Sequence, residues 1–186
     1  YSRVEDYRLR VHSVIRRAGE APEETDLTYW FRRPDRFRME LRNPHPGLTL
    51  VHPHGEGRVR VRPGGLLRFL KISLDPGSAR LEVSPGQRVD QTDLGLLIRN
   101  ISRSLAGAAP GAAAVRTEGG TVVLSVEGEN HFLPGVWTRY ELWVDRELWL
   151  PVRVREEVPS RGWERDVRFD EITLNPGLPE SFFRLD

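Results

Sequence analysis

Alternation of apolar and polar residues with a period of two runs through most of this chain, and it constrains the fold more than any other feature. Tyr7, Leu9 and Val11 alternate with arginines and a histidine, and Val59 and Val61 stand between arginines. Because successive side chains of a β-strand point to opposite faces of a sheet, the pattern predicts strands with one buried and one solvated face. We therefore expect a chain that is mainly β.

One segment follows a different period, with apolar residues three or four positions apart. This apolar stripe comprises Leu94, Leu97, Ile98, Ile101 and Leu105. Such spacing places the stripe on one side of an α-helix, and either Thr92 or Asp93 can cap the N-terminus of that helix. The small-residue stretch 106–114 is predicted to be a mobile connection. Pro179 is predicted to begin a short final turn, which Phe182 and Phe183 anchor.

A sheet with one apolar face has to cover that face, and this chain offers one strong helix for the purpose. We predict a mainly β (α+β) fold, in which a strongly curved antiparallel sheet forms a half-barrel and the central helix and short helices cover its concave face. A closed, lipocalin-like barrel is the alternative, because alternation does not tell whether the edge strands meet. With 186 residues, the chain is predicted to be a single domain, residues 1–186.

The charges of the chain nearly cancel, with 28 Lys and Arg against 27 Asp and Glu and a net charge of +1. No basic field covers the whole chain, which disfavours generic nucleic-acid binding. The five tryptophans could stack on bases, but with this charge balance they are predicted to lie in the core or to line a cavity. No run of about 18 apolar residues occurs, so no segment is predicted to span a membrane.

The sequence carries no complete catalytic or metal-binding motif. It contains no cysteine, no nucleophile elbow, no glycine-rich phosphate loop and no His-Glu-x-x-His motif. His45, His52 and His54 lie close together, but prolines interrupt them and no carboxylate cluster supports them. In the pairs Glu23–Glu24 and Glu156–Glu157 the neighbouring side chains point to opposite faces of a strand, so neither pair can act on one bond. Both pairs are predicted to be solvated. We therefore expect no catalysis, no cofactor and no metal.

The arginines that alternate with apolar residues can form either a solvated face or a phosphate-binding face. The many acidic residues favour a solvated face that pairs with neighbouring strands. In the stretch from Tyr29 to Glu40, Arg36 alternates with Phe37. We predict that the Phe37 face binds a ligand and that the Arg36 face is solvated.

The same stretch carries a family resemblance. YWFRRPDRFRMEL (29–41) resembles the segment of the bacterial lipoprotein carrier LolA and its relatives in which one strand ends on Arg-Pro and the next begins with a cavity-facing aromatic residue. HPHGEGRVRVRPGG (52–65) is similar to the hairpin that follows, and YELWVDRELWLPVRVREEV (140–158) to a later strand pair of that superfamily. FDEITLNPGLPESFF (169–183) resembles the segment before the last short helix of LolA-like and RseB-like domains.

This resemblance to the LolA/LolB/RseB-like superfamily implies an apolar cavity for acyl chains. It also implies a location in the periplasm or at the outer membrane, with an export signal removed. Arg33 matches the arginine that holds the lid of the carrier closed through backbone contacts, and Phe37 matches the cavity aromatic.

The predicted site combines this resemblance with the alternation. The ligand-binding residues are Phe37, Met39, Leu41, Leu9, Val11, Val59, Val61, Val152 and Val154. The lid residues are Arg33, Leu94, Leu97, Ile98 and Ile101.

The leading hypothesis is a non-enzymatic envelope protein that binds the acyl chains of a lipoprotein or lipid, for transport or sensing. The alternative is an RseB-like regulatory module, whose cavity is filled by its own side chains and whose partner is another envelope protein.

Overall fold

The computed structural model describes residues 1–185. Within these residues, eleven strands and one α-helix confirm the mainly β prediction. In chain order the elements are β1 (Asp6–Arg17), β2 (Glu23–Arg32), β3 (Arg36–Asn43), β4 (Thr49–His52), β5 (Val59–Arg62), β6 (Ile72–Leu74), α1 (Leu94–Gly107), β7 (Ala113–Glu118), β8 (Thr121–Glu129), β9 (Trp137–Asp145), β10 (Pro151–Val158) and β11 (Trp163–Leu174). Short 3-10 turns lie at Gly65–Leu67, Ala79–Leu81, Pro159–Arg161 and Glu180–Phe183.

All eleven strands belong to one antiparallel sheet, in the order β6-β5-β4-β3-β2-β1-β11-β10-β9-β8-β7. Within residues 1–185, β6 and β7 each have one neighbour, so the sheet has two open edges. The closed-barrel alternative is therefore wrong.

The chain divides into two compact units, which we describe separately. Unit 1 comprises Tyr1, Ser13–Glu24 and Asp93–Phe169, and unit 2 comprises Ser2–His12, Thr25–Thr92 and the residues from Asp170 onward. Strands β1, β2 and β11 contribute residues to both units. That the chain is a single domain stays a prediction.

The helix of unit 1 begins where the sequence predicts. Of the two candidate caps, Asp93 is the one used, and its carboxylate accepts a hydrogen bond from the Leu96 backbone N–H at 2.9 Å. The apolar stripe packs on strands β8, β9 and β10 of the same unit. Ile101 shares a buried cluster with Val126, Tyr140, Leu142 and Val154, and Leu97 and Leu105 pack against this cluster.

The prediction of a mobile connection at residues 106–114 is wrong at both ends, since α1 runs to Gly107 and β7 begins at Ala113. Ala113 and Ala114 begin β7, where they lie opposite Val126 and Ser125 of β8. Small residues give a weak strand signal, whereas pairing with β8 supplies the backbone hydrogen bonds that alternation cannot reveal. The short edge strand β6 escapes prediction for the same reason.

The register of unit 2 gathers apolar residues on one face of β2 to β5. Tyr29 lies opposite Met39, Met39 opposite Leu50, and Leu50 opposite Val61. Directly opposed residues share a face of the sheet. We call this the inner face of unit 2; on these strands it comprises Leu27, Tyr29, Phe31, Phe37, Met39, Leu41, Leu50, His52, Val59 and Val61.

The opposite, outer face of unit 2 is covered by the C-terminal segment. Val51 forms a buried cluster with Phe183 and Leu185, and the ring of Trp30 lies 5.4 Å from that of Phe182. The final turn follows Pro179, as predicted, and Phe183 is 1% exposed. This turn therefore anchors the end of the chain against the sheet.

Candidate binding face and its cover

A row of stacked and tilted rings crosses the inner face of unit 2. The ring of Tyr7 lies 5.2 Å from Phe31 and 6.0 Å from Tyr29. The row continues from Tyr29 to Phe37 at 6.3 Å and from Phe37 to His52 at 5.3 Å. These residues are buried. The row therefore offers rigid contact area to an apolar ligand only where the chain that covers it moves aside.

Most of the predicted ligand-binding residues belong to this unit. Leu9, Phe37, Met39, Val59 and Val61 are buried, and Val11 and Leu41 are half-buried. Leu9 and Val11 share the face of Tyr7, because side chains two apart on a strand point the same way. The structure therefore brings these residues together on β1, β3 and β5.

Val152 and Val154 belong to unit 1 and differ from each other. Val154 is buried in the cluster beneath α1. Val152 lies at a register irregularity, since Pro151 faces Val144 of β9 and Arg153 faces the adjacent Trp143. A bulge interrupts the alternation of a strand, so alternation does not fix the face of Val152, and its place in the binding site stays a prediction.

The segment of residues 75–92 belongs to unit 2 and contains buried side chains that the sequence does not predict. Leu81 and Val89 are buried in it. Thr92 donates to the Val89 carbonyl oxygen at 2.9 Å, and its hydroxyl lies 3.2 Å from that of Tyr29. The segment thus reaches the ring row at Tyr29. Its apolar residues are isolated among Pro, Gly and polar residues, so no periodicity marks it.

The prediction that the Arg36 face is solvated is wrong for β3. The Arg36 side chain is 14% exposed and donates to the Glu180 carboxylate at 2.8 Å. The Arg38 side chain is 15% exposed, donates to the Phe182 carbonyl oxygen at 3.1 Å and lies over the Phe182 ring at 4.8 Å. The C-terminal turn covers both arginines, and alternation within β3 cannot report a segment so distant in sequence.

Arg33 makes the kind of backbone contact that the resemblance predicts. Its Nε donates to the Val4 carbonyl oxygen at 2.6 Å, and its backbone N–H donates to the Glu5 carbonyl oxygen at 2.9 Å. Arg33 therefore ties β2 to the N-terminal segment of unit 2. A role for Arg33 in closing a lid stays a prediction.

The prediction that Glu156 is solvated is wrong. Glu156 is 8% exposed and lies opposite Tyr140 and Arg165, on the same side of β10 as the buried Val154 and Val158. Its carboxylate lies 3.8 Å from the Arg165 guanidinium. Burial raises the pKa of Glu156, and the Arg165 charge opposes that rise. Alternation along β10 correctly places Glu156 on the side of Val154, but its acidic side chain led to the prediction that it is solvated.

A side-chain contact joins Ser104 of α1 to His131, which follows β8. The Ser104 hydroxyl lies 3.1 Å from Nε2 of His131, and the His131 ring stacks on Tyr140 at 5.1 Å. Burial lowers the pKa of His131, and the positive charge of Arg103 lowers it further. Among the described residues no carboxylate orients His131, as a catalytic Ser-His pair requires. We assign this contact a structural role.

The three clustered histidines do not converge on one site. Nδ1 of His52 lies 3.0 Å from the Asp35 carbonyl oxygen, Nδ1 of His54 lies 2.5 Å from Oδ1 of the Asp35 carboxylate, and His45 is exposed. Residues 1–185 hold no group of three or more His, Cys, Asp or Glu side chains that could bind a metal ion. Over the same range, no helix has the length and apolar character needed to cross a membrane.

Two of the tryptophans contradict the prediction that all of them are buried. Trp137 and Trp149 are 67% and 70% exposed. Trp163 is buried, and the Trp143 ring lies 4.5 Å beneath the Arg153 guanidinium.

A cleft of about 440 Å³ opens in unit 1, beside residues of β7, β8, β9 and β10. Beside Ala112 to Ala114, it is lined by charged residues of both signs, among them Glu127, Arg139 and Glu157. Arg139 bridges Glu127 at 2.7 Å and Glu157 at 3.8 Å. These charges already pair with each other, so the cleft does not suit an acyl chain.

Comparison with protein-family models and with curated proteins finds no match for this chain. Solved structures do share its fold. An uncharacterized conserved protein from Thermus thermophilus is 12% identical, with a TM-score of 0.53 over 100% of this chain and 88% of that one.

Two further solved structures share the fold of this chain. The LolA superfamily protein NE2245 from Nitrosomonas europaea is 11% identical, with a TM-score of 0.51 over 99% of this chain and 92% of that one. A DUF1329 family protein from Desulfovibrio piger ATCC 29098 is 11% identical, with a TM-score of 0.51 over 98% and 91%. The chain therefore has the fold of the LolA superfamily, which confirms at the level of the fold the resemblance of its sequence motifs.

Proposed function

We propose that this chain is a non-enzymatic protein of the bacterial envelope that binds the acyl chains of a lipid or lipoprotein against the inner face of unit 2. The observation that carries this proposal is the unbroken row of rings from Tyr7 to His52, with Met39 and Val59 on the same face. Each buried methylene contributes about 0.8 kcal/mol, so a chain of about fourteen carbons would gain about 10 kcal/mol before association costs.

The likeness to a LolA superfamily protein supports this proposal. We also propose that the protein is located in the periplasm or at the outer membrane, after removal of an export signal. The half-barrel curvature of the sheet, with short helices over its concave side, is also part of the proposal.

The lid role of α1 belongs to the same proposal. In unit 1 the helix rests on an apolar surface that includes Val154, one of the predicted ligand-binding residues. An acyl chain bound at Val154 has to displace the apolar stripe of α1, so the closed and loaded states compete for this surface of unit 1. Transient lifting of α1 would admit the chain.

The second candidate is a regulatory module whose interior is filled by its own side chains and whose partner is another envelope protein. One observation favours it: Phe37 is 2% exposed and Val59 is 0% exposed, so the chain itself already covers this face. In that case no added acyl chain enters, and the folded protein is indifferent to free fatty acid.

A matched pair of variants tests the proposed face. Met39→Gln puts an amide of similar length on the inner face, whereas Arg62→Gln changes the outer face, where Arg62 lies opposite Thr49. We expect Met39→Gln to weaken binding of a fluorescent fatty acid about tenfold, because an amide resists burial, and Arg62→Gln to leave binding within about twofold of the parent. Thermal unfolding confirms that both variants are folded. Equal affinity in parent and Met39→Gln would contradict the assignment of the inner face.

A further inference from the structure

The loop between β5 and β6 exposes more apolar surface than any other short segment described among residues 1–185. Its exposed apolar residues are Leu66 (95%), Leu67 (52%), Phe69 (72%) and Leu70 (39%). A contiguous apolar patch of this kind marks an interaction site on a soluble protein. The row of rings on the inner face of unit 2 does not explain it, because those rings are buried and these side chains face solvent.

The charge around this loop indicates the chemistry of its partner. Arg68 and Lys71, the one lysine of the sequence, stand among the apolar residues, and both are exposed. From Gly57 to Leu74 the sequence contains five basic residues and no acidic one; of the five, Arg60 pairs with Glu56 at 2.6 Å, so Arg68 and Lys71 supply the charge beside the apolar residues. The exposed apolar pair Leu148 and Trp149 lies instead in a hairpin that also carries Asp145 and Glu147. The loop therefore combines apolar residues with an unbalanced positive charge.

The base of the loop is held in place. A Cβ atom at Gly64 would lie 2.1 Å from the Pro46 carbonyl oxygen and 3.0 Å from the Gly47 carbonyl carbon, so the Gly64 backbone rests directly on that turn. Within the loop, the Arg68 backbone N–H donates to the Gly65 carbonyl oxygen at 3.3 Å, and the Leu70 backbone N–H donates to the Leu67 carbonyl oxygen at 2.9 Å. These consecutive turns order the apolar residues before any partner binds, which lowers the entropy cost of binding.

We propose that residues 65–72 form a membrane-docking loop, which inserts Leu66, Leu67 and Phe69 into the interface of an anionic phospholipid bilayer. Apolar side chains gain by entering the boundary between headgroups and acyl chains, and neighbouring cations are attracted by anionic headgroups. Docking of this kind is peripheral. It uses a surface separate from the inner face, and it would hold the protein at the bilayer from which an acyl chain is taken or to which it is delivered.

Flotation with lipid vesicles tests this proposal on the whole chain. We expect the parent to float with vesicles that contain phosphatidylglycerol and phosphatidylcholine, and to float less at high salt and with phosphatidylcholine alone, because screening removes the electrostatic attraction. Leu66→Asp should reduce the bound fraction at limiting lipid about tenfold. The control Trp149→Ser removes another exposed apolar residue, 70% exposed and in unit 1, and should bind like the parent.

A second variant reports insertion directly. Phe69→Trp should show a blue-shifted emission increment, and quenching by brominated lipid, when phosphatidylglycerol vesicles are added. Leu66→Asp should bind a fluorescent fatty acid as the parent does, so failure of this proposal and failure of the proposed acyl site are distinguishable. The proposal is overturned if Leu66→Asp floats like the parent, if Phe69→Trp is insensitive to vesicles, or if Leu66→Asp only converts a dimer into a monomer, since the loop would then bind a second copy of the chain.

Discussion

Oxidation of a Ser104→Cys/Gly128→Cys variant is expected to abolish uptake of a fluorescent fatty acid, and reduction is expected to restore it. A Cβ atom built on Gly128 lies 3.9 Å from the Ser104 Cβ, within the range that a disulfide bond spans. The bond would fasten the second half of α1 to β8. The sequence contains no cysteine, so no other thiol competes for the pairing.

The expected effect is large because the proposed entry route requires α1 to separate from Val126, Leu142 and Val154. Local opening of a helix ceases when a covalent bond fixes it to the surface that it has to leave. The single variant Ser104→Cys is the control, since it also loses the serine contact with His131 but carries no cross-link. Uptake by the fully oxidised double variant at the parent rate would show that α1 is fixed core and not a lid.

Replacing Glu156 with Leu is expected to destabilise the protein by about 3 to 5 kcal/mol. The substitution removes one member of a buried ion pair, so the Arg165 charge stays buried and loses the Glu156 carboxylate that offsets its desolvation. Arg165 then keeps its contact with the Ser13 hydroxyl at 3.3 Å but loses the Glu156 carboxylate. Burial already lowers the pKa of Arg165, and the negative charge of Glu156 opposes that effect. Urea unfolding at neutral pH measures the loss.

The double variant Glu156→Leu/Arg165→Met separates the pair from its surroundings. We expect it to recover most of the lost stability, since replacing both charges by apolar residues of similar volume is often neutral. Glu157→Leu is the matched control, because Glu157 is the neighbouring carboxylate on the other side of β10 and is less buried. A double variant as unstable as Glu156→Leu would show that the two charges are not energetically coupled.

Alternation and helical spacing predict much of this fold correctly. The strand character around Tyr7, Phe37 and Val59, the helix from Leu94 and its Asp93 cap are all confirmed. These features are local, since each depends on which residues stand two, three or four positions apart. The burial of Leu9, Met39 and Val154 follows from the same local rule.

What the sequence could not predict depends on contacts between distant segments. The cover over Arg36 and Arg38 comes from Glu180 and Phe182, more than 140 positions later in the chain. The bulge at Val152 arises from pairing with β9. Local periodicity does not encode such pairings, and it gives no signal for the contact that Thr92 makes with the Tyr29 hydroxyl.

Organic extraction of the purified protein, followed by mass spectrometry, tests most directly the claim that this chain binds acyl chains. Protein isolated from an envelope fraction under native conditions is expected to carry acyl lipid in a ratio approaching one per chain, and Met39→Gln is expected to carry markedly less. The extract of an equal amount of an unrelated periplasmic protein sets the background. An extract at that background, from protein that also shows no saturable binding of added fatty acid, would contradict the claim and favour the regulatory module with a self-filled interior.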